Sequence, residues 1–195
     1  MNSIAHIVNI SYNIANTFVC SIKAKTKAKW WNVNTGKGFK VNGLIHFRKL
    51  PNSIISIGNN CKCNSKYNSN LIGVDRSCIF STLQKGAVIK IGNNCGFSGT
   101  VIGAFKSITI GNNVRCGANT LITDADWHLD DPRSGEPASV IVENNVWLGE
   151  GTKVLKGVSI GENTVIGAGS IVTKSIPANV IAAGNPCRVI KKLIR

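Results

Sequence analysis

Residues 142–172 read VENNVWLGEGTKVLKGVSIGENTVIGAGSIV, and from Val142 every sixth position is aliphatic: Leu148, Val154, Ile160, Ile166 and Val172 follow. Ile, Val and Leu make up about a quarter of the chain. Six such positions in one fixed phase therefore arise by chance on the order of once in several thousand. Four places after each stands Val146, Thr152, Val158, Thr164, Ser170 or Ile176, and Gly149, Gly161 and Gly167 directly follow three of the aliphatics. An amphipathic helix repeats its faces every 3.6 residues, so a period of six excludes one. A very short strand followed by a tight turn, repeated, fits it.

The same register runs upstream through Ile110-Gly111, Cys116-Gly117 and Ile122, with weaker copies at Ile57-Gly58 with Cys61 and at Ile91-Gly92 with Cys95. GNN at 58–60, 92–94 and 111–113, and ENN at 143–145, supply residues that tolerate left-handed backbone angles. Each strand then stacks on the strand one coil later, and the aliphatic column fills a continuous interior. This is a parallel β-solenoid.

Composition agrees. The 195 residues suffice for one domain with a short extension. Only 16% are charged and 6% aromatic, which disfavours a helical bundle. The net charge of +14 calls for an anionic partner. With no nucleic-acid recognition module and no aromatic-studded basic stripe, nucleic acid is not the expected one. Seven cysteines with no framework spacing read as reduced, apolar thiols, so the expected compartment is the cytoplasm. Cys61 and Cys63 lack the second pair that a zinc site needs.

The chain divides into an N-terminal extension over 1–50, a solenoid over 51–180 with a protruding loop at 123–141, and a basic tail over 181–195. In the extension, Ile4, Ile7, Val8, Ile14, Ala15 and Phe18 recur at near-helical spacing, followed by Lys23, Lys25, Lys27 and Lys29. Interspersed asparagines make it too polar to span a membrane. A helix docked on the protein's own body is the favoured reading, and peripheral contact with the inner face of the membrane is the other.

The stretch from Ile108 to Ile190, and above all NNVWLGEGTKVLKGVSIGENTVIGAGSIVTKSIPANVIAAGNPCRVIKK, resembles the hexapeptide-repeat acetyltransferases of the maltose and galactoside O-acetyltransferase group. NNCGFSGTVIGA upstream is similar to the polysaccharide-modifying branch. The resemblance implies a left-handed parallel β-helix of triangular section, assembled as a homotrimer, against the usual preference for right-handed crossovers. It covers somewhat over half of the chain. Residues 1–50 find no counterpart in the helical N-terminal region of maltose-type members.

Between Ile122 and Val142 lie twenty steps, which is not a multiple of six, so the register slips and a loop is extruded. TDADWHLDDP at 123–132 falls there. A lone histidine in a polar loop is by default a surface residue. The resemblance makes His128 the general base that removes the proton of an attacking hydroxyl, work worth ~10²–10⁴-fold. A carboxylate on the far ring nitrogen would fix the tautomer. Asp124 and Asp126 are both candidates, with Asp126 weakly preferred, and Asp130 and Asp131 are assigned to the acceptor rim or to solvent. A metal reading of the same residues lacks both a calcium-loop glycine and a three-histidine set, so no metal is expected.

The resemblance further implies acetyl-CoA as donor. The backbone N–H of Glu150 would hold the oxyanion, with Trp147 and Gly149 at the thioester end. Coenzyme contacts would come from Ala168, Thr173, Lys174, Arg188 and Lys191, the last in place of a frequent arginine. Ser98 stands where maltose-type members carry an acceptor-contacting asparagine. Pro177 and Pro186 mark the solenoid's exit, ahead of an expected C-terminal helix. The expected reaction is direct acetyl transfer to a hydroxyl of a sugar or lipid-linked oligosaccharide, in surface-polysaccharide biosynthesis. An antibiotic or serine O-acetyltransferase and a non-catalytic scaffold are the alternatives.

Overall fold

The computed structural model describes residues 2–193. Helix α1 (Asn2–Trp30) leads into coils of three strands each. The first holds β1 (Asn34–Thr35), β2 (Lys40–Gly43) and β3 (His46–Arg48). The second holds β4 (Ile54–Ile57), β5 (Lys62–Ser65) and β6 (Ile79–Thr82), and the third β7 (Val88–Ile91), β8 (Gly96–Ser98) and β9 (Val101–Ala104). β10 (Ser107–Ile110), β11 (Arg115–Ala118) and β12 (Leu121–Thr123) make the fourth. The fifth is β13 (Val140–Val142), β14 (Trp147–Leu148) and β15 (Lys153–Val154). The sixth is β16 (Ser159–Ile160), β17 (Val165–Ile166) and β18 (Ile171–Val172), and β19 (Val180–Ala183) and β20 (Arg188–Lys192) end the chain.

Successive strands go to three different parallel sheets. The first sheet stacks β1, β4, β7, β10, β13 and β16; the second runs from β2 to β17 and on to β19 and β20; the third runs from β3 to β18. The solenoid is therefore a three-sided prism. In the last coils the step between stacked residues is eighteen, as in Ile141–Ser159, Trp147–Val165 and Lys153–Ile171.

Alternation along each short strand points one column inward. On the second sheet it reads Val41, Cys63, Phe97, Cys116, Leu148, Ile166 and Ala182, each at most 4% exposed. Cys61, Cys78, Cys95 and Cys187 are buried too. Burial raises the Cys116 thiol above its ordinary pKa, so it packs as a neutral apolar group. Each large aliphatic in such a column stabilises the fold by about 1.5–3 kcal/mol.

The turns show why GNN recurs. A Cβ on Gly92 would lie 2.6 Å from the Gly111 carbonyl oxygen in the next coil, so only glycine permits the stacking. The first asparagine accepts from the coil before it: Asn93 N–H donates to Asn112 Oδ1 and Asn112 N–H to Asn144 Oδ1, both at 2.8 Å. The second is left-handed, with φ 58° at Asn94 and 57° at Asn113.

Two expectations are corrected. Three strands precede residue 51, so the solenoid starts at Asn34 and only α1 with its following turn is an extension. No C-terminal helix forms. Gly184, with φ 106°, opens a turn, and Arg188–Lys192 returns antiparallel to β19. Val189 and Ile190 favour a strand there, and β20 covers a sheet edge otherwise left open by the last parallel strand.

Candidate active site

The prism is interrupted twice. Residues 66–78 leave the edge between the second and third sheets, and residues 124–139 leave the edge between the third and first. The second loop carries His128.

Asp124 forms the neck of that loop. It is fully buried, and its two carboxylate oxygens accept the N–H groups of Phe105 at 2.7 Å and Lys106 at 2.8 Å. Its carbonyl accepts from Ala138 N–H at 2.8 Å, closing the loop's two ends. Asp126 lies on the outside, ion-paired with Lys156 and accepting Gly135 N–H at 3.0 Å. The hydrogen bond from Lys156, and then that from Gly135, hold its carboxyl below the usual carboxylate range. Neither aspartate meets the His128 ring, which has no hydrogen-bond partner among the described residues. Both carboxylates are spent on shaping the loop.

The histidine is positioned through its backbone and its neighbour. The His128 carbonyl accepts Asp131 N–H at 3.0 Å and the Ser134 hydroxyl. Asp131 is tied in turn to Arg133, first through the guanidinium and then through the Arg133 N–H, and its pKa is lowered accordingly. Asp130 is exposed. Trp127 has φ 72°, a conformation strained for a bulky residue. It is held there by a 2.8 Å bond from its indole N–H to Thr123 Oγ1 and by an edge contact with Phe105. Trp127, Thr123, Phe105 and Lys156 are supports that sequence reading missed; Trp127's place beside His128 was the available signal.

The other candidates lie elsewhere on the prism. Glu150 and Ala168 occupy stacked turns at the edge between the second and third sheets, so close that a Cβ on Gly149 would lie 2.5 Å from Ala168 N. Among the described residues the Glu150 N–H donates to no group, as an oxyanion donor must. Trp147 is 54% exposed on the outer face of the second sheet. Its stacked neighbours there are Val165, Ile181 and then Lys191. Thr173 and Lys174 are exposed and share the His128 edge, two coils on; Arg188 is exposed on β20.

Ser98, only 5% exposed, ends β8 near the Glu150 edge. Its Oγ accepts from Asn64 Nδ2 and Asn70 Nδ2, each at 3.2 Å. Asn64 Oδ1 beside it is buried with no partner among the described residues. Loop 66–78, which brings in Asn70, was also missed. The interval from Ile57 to Ile91, not a multiple of six, was its trace in the sequence.

One chain thus puts the histidine loop on one edge of the prism and Ser98, Glu150 and Ala168 on the next. Among the described residues no cluster of His, Cys, Asp and Glu is placed to hold a metal ion.

The fold and its repeat define a hexapeptide-repeat solenoid, a left-handed parallel β-helix. Residues 139–174 match the family model of the bacterial transferase hexapeptide (six repeats). The chain is similar to the galactoside O-acetyltransferase of Escherichia coli K12, 44% identical over 114 residues that cover 55% of this chain and 56% of that one. It is similar also to the putative lipopolysaccharide biosynthesis O-acetyl transferase WbbJ of the same organism, 38% identical over 104 residues covering 47% and 53%. The chain spans about half the length of these curated relatives. Among solved structures, a substituted form of the Bacillus cereus N-acyltransferase AntD with coenzyme A and dTDP-4-amino-4,6-dideoxyglucose shares the fold. Its TM-score is 0.64 at 20% identity, covering 88% of this chain and 90% of that one.

Proposed function

We propose that the chain is an acetyl-CoA-dependent O-acetyltransferase that modifies a sugar hydroxyl of a surface-polysaccharide precursor. The observation that carries this is His128, displayed at a break in the solenoid on a loop that Asp124 and Asp126 pin from either side. The named activities of the similar proteins support the donor and the acceptor class.

In this reading an imidazole nitrogen of His128 takes the proton of the acceptor hydroxyl as its oxygen attacks the thioester carbonyl. The oxyanion accepts a hydrogen bond from Glu150 N–H. Collapse expels the coenzyme A thiolate, which takes the proton back from the imidazolium. Donor contacts come from Trp147, Gly149, Ala168, Thr173, Lys174, Arg188 and Lys191. Ser98, with Asn64 and Asn70 behind it, hydrogen-bonds the acceptor, and Asp130 and Asp131 line its approach. Because the two halves of the site sit on different edges of one prism, a homotrimer is the assembly that joins them, the loop of one subunit meeting the Glu150 edge of the next. Seven unpaired cysteines support a cytoplasmic location.

Mass spectrometry of galactosides and oligosaccharides incubated with acetyl-CoA tests the reading. Wild type should add one acetyl group to at least one acceptor, and His128→Ala should lower that rate by about 10²–10⁴-fold. Equal product from both would remove His128 as the base.

A further inference from the structure

The net charge of +14 is not spread along the chain. Residues 1–123 hold fifteen lysines and arginines against the single acid Asp75, whereas residues 124–195 hold eight basic and eight acidic residues. Lys174, Arg188 and Lys191 lie in the balanced part, so coenzyme phosphates do not account for the excess. It belongs to α1 and the first four coils.

Helix α1 is docked on its own body along a narrow seam. Ser21, Ala24 and Ala28 are buried, Val41 N–H donates to Ser21 Oγ at 2.9 Å, and Asn16 Nδ2 donates to Asn42 Oδ1 at 2.8 Å. One exposed flank is apolar. Ile7, Ile14, Phe18 and Ile22 form one stripe at helical spacing, exposed by 61%, 66%, 67% and 50%. Lys25 and Lys29 continue the same stripe, and α1 contains no acid.

Loop 66–78 reaches α1 on both flanks: Lys66 Nζ lies 5.5 Å from the ring centre of Tyr12 and 5.9 Å from that of Tyr67, and Asn68 and Ser69 line a groove together with Ile14 and Phe18 of the stripe. At its tip Leu71 is 97% and Ile72 66% exposed. Large apolar side chains grouped this way on two elements mark a contact surface. No helix among the described residues is long and apolar enough to cross a membrane. An apolar stripe that runs into lysines suits the boundary between acyl chains and anionic headgroups.

We infer that α1 and loop 66–78 together form a face that docks on an anionic phospholipid surface. A second copy is the poorer occupant, because it would set lysine-bearing stripes against each other. Asn70, directly before Leu71 in that tip, donates to Ser98 Oγ at 3.2 Å, so the same short segment carries the exposed apolar side chains and touches the acceptor end of the proposed site. That last consequence rests on the acetyltransferase reading: the acceptor is then a sugar carried on a membrane lipid. The docking itself does not.

The test is cosedimentation of the full chain with phosphatidylcholine vesicles, with and without roughly one third phosphatidylglycerol, at low and high salt. Binding to the anionic vesicles is expected, and at least about tenfold weaker binding without the anionic lipid or in high salt. Phe18→Asp, and Leu71→Asp combined with Ile72→Asp, should each weaken it about tenfold while leaving acetyl-CoA binding unchanged. No binding by wild type, or unchanged binding by both variants, overturns the inference. So does dissociation of the lipid-free assembly by Phe18→Asp in sedimentation velocity, which would make the stripe an interface between copies. Acetylation of a soluble galactoside and of a lipid-linked oligosaccharide is assayed in parallel. Acetylation of either without vesicle binding sinks the docking alone, and vesicle binding with acetylation of neither upholds the docking while sinking the enzymatic reading.

Discussion

Trp127 lies against Gly103 so closely that a Cβ there would sit 2.6 Å from its Cζ2. The backbone at Trp127 is already in the left-handed region, so the ring has little freedom to yield. Gly103→Ala should therefore lift the indole off the third sheet and carry His128 with it. A displacement of about 1 Å in a catalytic group costs up to about 10²-fold. The expected result is a fall in kcat of at least about tenfold with acetyl-CoA affinity unchanged. Equal effects on both would point to general unfolding of the loop instead.

Asp124→Asn separates a structural from a catalytic role for that carboxylate. The wild-type oxygens accept two N–H groups in a fully buried setting. An amide can accept only one, and its NH₂ faces the other donor. The cost is about 1–3 kcal/mol for the orphaned N–H, visible as a lower Tm. If Asp124 instead oriented the imidazole, activity would fall at unchanged Tm.

These two positions show where sequence reading stops. The coil is legible because its determinants are local: an aliphatic residue, a glycine and a left-handed asparagine recur within six residues, and Asn94 and Asn113 take the expected angles. The loop's place is legible from lost register. What holds the loop is not. Asp124 and Asp126 are equivalent in TDADWH, yet one turns inward to Phe105 and Lys106, and the other outward to Lys156 a coil later. Those partners lie eighteen to thirty residues away. The tail failed for a related reason: whether VIKK forms helix or strand depends on the open edge of β19, which no local pattern reports.

Arg188 and Lys191 are exposed on β20 rather than on a helix. Exposed charge pairs weaken with ionic strength, so acetyl-CoA binding should fall as salt rises and about tenfold on Arg188→Ala, with a smaller loss for Arg188→Lys, which keeps charge but not the bidentate fork. Calorimetric titration at two salt concentrations decides it, and indifference to both changes removes β20 from the donor site.

His46 Nδ1 stands 3.4 Å from Lys27 Nζ, joining the first coil to the last turns of α1. Burial first, and the lysine's charge second, lower the His46 pKa below its ordinary value. The folded protein then binds fewer protons here than the unfolded chain, so this contribution to stability rises with pH. It is complete above the unfolded value of about 6.5 and lost as pH falls from there through the folded value. At acid pH two cations face each other, and the docked end of the helix should loosen. Because His46 is largely exposed and screened, the effect is small: hydrogen-exchange protection over 24–33 should drop about twofold between pH of about 7.5 and about 5.5. His46→Asn should remove that pH dependence. A dependence that survives the substitution would assign it to another group and leave the Lys27 contact without a part in holding α1.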